Sequence, residues 1–163
     1  MAATLGAEFC LGRGAEGRQM VRIDLLTPIA APIDRVFDLS RSVDAHLSST
    51  AATGERVVGG TTSGLLSLGD TVTWSAVHFG VRQRLTVEIT ACDAPHFFED
   101  TMRKGAFKSM IHRHHFEPSA DGTLMRDVFE FEAPLGPLGR LVEVWVLGYL
   151  GRQIEYYYHH KKL

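Results

Sequence analysis

Between residues 70 and 133 apolar and polar residues alternate in five successive runs, and the links between them are short. "DTVTWSAVHF" (70–79) and "VRQRLTVEIT" (81–90) are separated by Gly80 alone. "HFFEDTM" (96–102) and "FKSMIHRHHFE" (107–117) flank Arg103-Lys104-Gly105-Ala106, and "TLMRDVFEFEA" (123–133) comes after Asp121-Gly122. Alternation of period two marks a strand with one buried face. Parallel neighbours need a crossover of a dozen or more residues, so these runs predict an antiparallel meander. "MVRIDLLTPI" (20–29) and "ERVVGG" (55–60) add a strand each, for about seven in all.

Helical patterns frame the strands. Pro32 suits a helix's first position, and Ile33, Val36 and Phe37 come next at helical spacing. Ser42 is placed to cap a second short helix carrying Val43, His46 and Leu47. After Gly136-Pro137 a longer pattern sets Leu138, Leu141, Val142, Trp145, Tyr149, Arg152 and Tyr156 on one stripe. Roughly 25 residues at 1.5 Å each make a rod of about 37 Å, enough to cross a whole sheet. The predicted fold is α+β: a curved antiparallel sheet wrapped around a long C-terminal helix, with two short helices after the first strand. One domain spans 20–163, and 1–19 are read as a loose N-terminal extension, with Met20 an alternative start. Gly12-x-Gly14-x-x-Gly17 has the spacing of a dinucleotide loop but lacks the strand before it and helix after it that such a loop needs.

The net charge of −2 comes with no dense cluster of Lys and Arg, which argues against nucleic-acid binding. No apolar run reaches membrane-spanning length and no secretory leader pattern begins the chain, so no stable membrane insertion is expected. Cys10 and Cys92 are far apart and match no zinc spacing, which suits free thiols in a reducing, cytoplasmic compartment. Nothing distinguishes a monomer from a homodimer.

The order of elements, with the segments "APIDRVFDLSRSVDAH", "GLLSLGDTVTWSAVHFG", "FFEDTMRKGAFKSMIHRHHF" and "DGTLMRDVFEFEAPLGPLG", resembles the START-related (SRPBCC) superfamily over about residues 20–160. That superfamily includes polyketide cyclases/dehydrases and the pathogenesis-related plant allergens, and the local match is to its single-domain ligand-binding branch. The resemblance implies a helix-grip fold with a long cavity between the sheet and the C-terminal helix. It is less specific for function, because the fold hosts carriers, sensors, cyclases and hydrolases.

Strand alternation sorts the side chains that face such a cavity. Trp74 and His78 share one face of their run, as do Phe98 and Asp100. Met110, His112, His114 and Phe116 share a face in 107–117, and Asp127 and Phe129 in 123–133, while His115 points away. Trp145 and Tyr149 come from the C-terminal helix. If Ser119–Gly122 closes the last hairpin, Phe116 opposes Met125, His114 opposes Asp127 and His112 opposes Phe129. If Gly105 centres the hairpin before it, Phe98 opposes His112 and Asp100 opposes Met110.

The histidines admit three readings. His112-x-His114 is a spacing by which a strand offers two imidazoles to one metal ion, with His78, Asp100 or Asp127 as a third ligand. His114 held by Asp127 has the outline of a general base, with His112 as acid or oxyanion partner. Alternatively, these are satisfied buried polar groups at one end of a greasy pocket. The reading adopted is the last: binding of a hydrophobic small molecule (lipid, isoprenoid or polyketide-like), with no metal and no cofactor. A cyclase/dehydrase or related lyase is the alternative.

Overall fold

The computed structural model describes residues 6–13, 19–51, 54–78 and 81–132, without the side chains of 6–13, Gln19 and His78. Eight strands form one antiparallel sheet: β1 Gly6–Arg13, β2 Gln19–Ile29, β3 Arg56–Gly60, β4 Thr71–His78, β5 Val81–Asp93, β6 Phe97–Lys104, β7 Ser109–Ser119 and β8 Gly122–Glu132. Their spatial order is β1-β2-β8-β7-β6-β5-β4-β3. After β2 the chain passes through two short helices, α1 Ile33–Ser40 and α2 Val43–Ser49, to the far edge and then meanders back. The meander predicted from the alternating runs is therefore the architecture seen.

Two expectations are corrected. The stretch read as a loose extension contributes β1, which pairs along β2 from Gly6 opposite Leu26 to Arg13 opposite Gln19 and joins the seven expected strands as an eighth among the described residues. Ala7, Phe9 and Leu11 do alternate there, but over only five residues and among glycines, too short a run to register as a strand. The element after the glycine motif is β2 of an antiparallel pair and not a helix. Secondly, β6 and β7 pair two residues away from the expected register: Phe98 opposes His114 and Asp100 opposes His112. The β6–β7 link is no tight turn on Gly105. It runs from Gly105 to Lys108 and drops Phe107 into the core, against the rings of Phe129 and Phe131. A slip of two leaves every side chain on its predicted face. The β7–β8 register agrees with the sequence reading at Phe116–Met125, His114–Asp127 and His112–Phe129.

One sheet face is apolar. Val21, Ile23 and Leu25 of β2 join Met110 and Phe116 of β7 and Met125, Phe129 and Phe131 of β8 in a single buried cluster. The helices close one end of it. Ser42 caps α2 by accepting from the Ala45 amide (3.2 Å), as its sequence position suggests. α1 drives Val36 and Phe37 inward, and the Phe37 ring meets Phe98 and Phe116 edge-on at 5.7 and 5.5 Å. The opposite sheet face is polar, as an antiparallel sheet with one wet face allows. Across it Arg22 joins Glu130 and Asp24, Arg126 holds Asp24, and Arg113 joins Glu99 and Glu130. The helical pattern predicted for 136–163 lies outside the described residues, and Trp145 and Tyr149 with it.

Candidate functional site

The apolar face continues into a cavity of about 120 Å³. Its walls are Val72, Trp74 and Ala76 of β4, Gln83, Leu85, Val87 and Ile89 of β5, Phe98 and Asp100 of β6, Met110, His112 and His114 of β7, and Phe129 of β8. α1, α2 and the loops beside them supply Ser40, Arg41, Val43, His46 and Leu66. Most of this lining is apolar, so the polar groups within it stand out.

Of the residues expected at the site, Trp74, Phe98, Asp100, Met110, His112, His114 and Phe129 lie on the cavity wall. Phe116 does not: it is a core residue, 1 % exposed, covered by Phe37 once α1 packs down. Asp127 is not on the wall either but stands behind the histidines. The backbone of His78 ends β4. Many further wall residues are not among those expected, and two of them, His46 and Glu55, form a polar pair. His46 lies flat on Trp74, ring centroids 3.9 Å apart, with Nε2 3.2 Å from Glu55 Oε2. Its helical spacing gives no sign of this, because the partners come from β4 and from the segment just before β3.

The polar end of the cavity is built from two histidines and two aspartates in alternation. Asp100 Oδ2 lies 3.3 Å from His114 Nε2, a hydrogen bond, and 3.8 Å from His112 Nδ1. Asp127 Oδ1 lies 2.7 Å from His114 Nδ1 and 3.4 Å from His112 Nε2. The Asp127 contacts are close in distance but off the direction a hydrogen bond requires, so His112 Nε2, His114 Nδ1 and Asp127 Oδ1 are buried without a hydrogen bond. Pairing across the strands produces the arrangement: His112 faces Asp100 and His114 faces Asp127. The two imidazoles lean together, centroids 3.8 Å apart, and Phe98 stacks on His114 at 4.1 Å.

These contacts set the charges. Burial opposes a charged His114, but its contacts with Asp100 and Asp127 outweigh burial and hold its proton up to about 9. Burial, and then the charge of His114, push His112 below the ordinary imidazole value. Burial would raise Asp127, yet its contacts with His112 and His114 hold it well below the usual carboxylate range. Without a bound cation, then, His114 is an imidazolium near neutral pH and His112 a neutral ring. A general base needs a nitrogen free to take a proton. As an imidazolium, His114 carries a proton on each nitrogen, which suits it to donating charge or a proton rather than removing one.

An antiparallel meander closed at one end by two short helices, with a largely apolar cavity against the sheet, is a fold shared with solved structures. Protein Ms6760 from Mycobacterium smegmatis superposes with a TM-score of 0.65 at 18% identity, covering 94% of each chain. The major latex-like protein 151 of Panax ginseng gives 0.61 at 17% identity, over 86% of this chain and 97% of its own. TTHA0849 from Thermus thermophilus gives 0.60 at 19%, over 87% and 93%. No curated protein matches the chain by sequence. The family model described as "Polyketide cyclase / dehydrase and lipid transport" matches residues 20–155, and the chain belongs to that family, within the START-related superfamily that its motifs resemble. Among the described residues no helix is long and apolar enough to cross a membrane.

Proposed function

We propose that the protein binds a hydrophobic small molecule bearing a polar head (a lipid, isoprenoid or polyketide-like compound) in this cavity, in the cytoplasm. The observation that carries the proposal is the asymmetry of the wall. Trp74, Val87, Ile89, Met110 and Phe129 offer apolar surface, and Asp100, His112 and His114 set three titratable groups together at one place on it. A carbonyl, hydroxyl or carboxylate head set against His114 meets a positive donor, and the hydrophobic remainder leaves water. The helical pattern of 136–163 belongs to this reading as a further wall.

The test is native mass spectrometry of freshly purified protein together with titration of a fluorescent fatty-acid reporter. A co-purified small molecule, or saturable reporter binding at one per chain, is expected. Ala76→Phe, which fills the cavity from β4, is expected to abolish reporter binding while the far-ultraviolet circular dichroism is unchanged. Reporter binding unaffected by that substitution would place the ligand elsewhere and sink the proposal.

A second reading, a cyclase/dehydrase or related lyase, draws on the 2.7 Å approach of Asp127 to His114. The charges described above move its roles: His112 becomes the ring able to take a proton, and His114 the acid or oxyanion partner. It predicts turnover of a polyketone substrate that falls roughly 10²–10⁴-fold in His112→Gln, the usual size of a general-base effect. A carrier changes affinity in the same variant and transforms nothing.

A further inference from the structure

The cavity wall carries three groups whose placement asks for more than a ligand's head. Asp100 Oδ2, His112 Nδ1 and His114 Nε2 come from neighbouring strands, and the two nitrogens approach within 3.8 and 3.3 Å of the carboxylate oxygen. One ligating atom from each of these residues falls within 4.8 Å of the others. Two ligand atoms held about 2.1 Å from a tetrahedral ion lie about 3.4 Å apart, so these separations already suit a common ion.

The opposite nitrogens carry a second observation. His112 Nε2 and His114 Nδ1 both turn towards Asp127, which stands off the cavity wall. Metal-binding imidazoles almost always set their other nitrogen against a carboxylate or carbonyl, which fixes the ring and raises its basicity. Here one buried carboxylate stands behind both rings. Hydrogen bonding alone leaves this group poorly satisfied, since three of its buried atoms lack a correctly directed partner.

We infer that Asp100, His112 and His114 form a binding site for a divalent transition-metal ion of the zinc type, oriented from behind by Asp127 and with a coordination position open to the cavity. Two imidazole nitrogens and one carboxylate oxygen suit Zn²⁺ and neighbouring first-row ions better than Mg²⁺ or Ca²⁺, which prefer all-oxygen sites. The open position is where a polar head in the cavity would reach the ion. The inference does not depend on the ligand proposal, because metal uptake is read with no organic ligand present.

The experiment uses the full chain, stripped with chelator, dialysed into metal-free buffer and titrated calorimetrically with Zn²⁺ alone. One equivalent is expected, with a rise in Tm on loading. Asp100→Asn and His112→Gln are expected to abolish stoichiometric uptake, and Asp127→Asn to weaken it about 10–100-fold, the usual effect of losing a supporting carboxylate. His159→Gln/His160→Gln, which removes the adjacent histidines near the C-terminus, is expected to leave uptake unchanged. Should the ligand variants fail to fold, zinc K-edge X-ray absorption on the loaded wild-type protein decides, and two imidazoles in the coordination sphere are expected. Absence of saturable uptake, uptake that survives both ligand substitutions in folded protein, or fewer than two imidazoles on the zinc would overturn the site. Reporter binding by the stripped protein separates the two proposals: if it persists while zinc uptake fails, only the metal site falls.

Discussion

Asp127 is 5 % exposed, carries no hydrogen bond of good direction through Oδ1, and faces two imidazoles. Its charge offsets that of His114 from the side away from the cavity. Asp127→Ala leaves His114 with Asp100 as its one carboxylate, and removing one partner of a buried ion pair costs about 3–5 kcal/mol. Denaturant unfolding is expected to show a lower midpoint at an unchanged slope. Asp127→Asn keeps the shape and a hydrogen-bonding oxygen, and is expected to lose less than the alanine variant. Equal losses in the two would mean that packing, and not charge, is what Asp127 supplies. Residues of this site differ in how far the sequence alone reveals their partners. The β7–β8 hairpin is tight, so counting from its turn pairs His114 with Asp127 correctly. The β6–β7 link is not, so the same counting assigns Asp100 to Met110 when it faces His112. Asp100 nevertheless falls on the right face, because alternation survives a slip of two.

At the scale of elements, two joints hold the cavity's shape. Gly122 opens β8 with a φ of +140°, and a Cβ there would lie 2.3 Å from the Ile29 carbonyl oxygen at the end of β2. Gly122→Ala therefore meets both backbone strain, about 1–3 kcal/mol, and a clash with main chain that has no side-chain freedom to yield. A lower Tm is expected, and one within a degree of wild type would show that the turn relaxes freely. The second joint is α1, held by Val36 and by Phe37 on the rings of Phe98 and Phe116. Phe37→Ala removes the ring that seals this end, at a cost of about 3–5 kcal/mol for a fully buried phenylalanine. Because Phe98 stacks in turn on His114, reporter affinity is expected to fall in the same variant wherever it remains folded.

For the whole molecule, the polar face of the sheet governs behaviour in acid. The Asp24 carboxyl is held below its ordinary value by Arg126 and Arg22 against the cost of burial. Burial likewise opposes ionised Glu130, and Arg113 and Arg22 outweigh it to lower that group too. Carboxyls lowered by folding contribute stability that is fully present above their unfolded values, near pH 4, and is lost as pH falls through the folded ones. On account of these carboxyls Tm is expected to drop as pH falls below about 5. Arg126→Gln, which frees Asp24 from its bidentate partner, is expected to make that drop shallower. Added salt is expected to matter little to the buried site and more to this exposed face.

The sequence by itself determined the strands of the meander, their faces, the two short helices with the Ser42 cap, and the family to which the chain belongs. These are local properties: alternation, helical spacing and turn residues are written in consecutive positions, and a side chain's face follows from parity alone. Tertiary structure decided the rest. It added β1 to the sheet, where backbone pairing along β2 outweighs a weak local pattern. It moved Phe116 into the core and brought His46 onto Trp74. It set Asp100 and Asp127 on opposite sides of the same two imidazoles. That last arrangement depends on the register of three strands at once, which the length of a loop and the burial of Phe107 settle. A histidine pair that reads in sequence as the polar lining of a pocket thus becomes, in the fold, a group with the geometry to hold an ion.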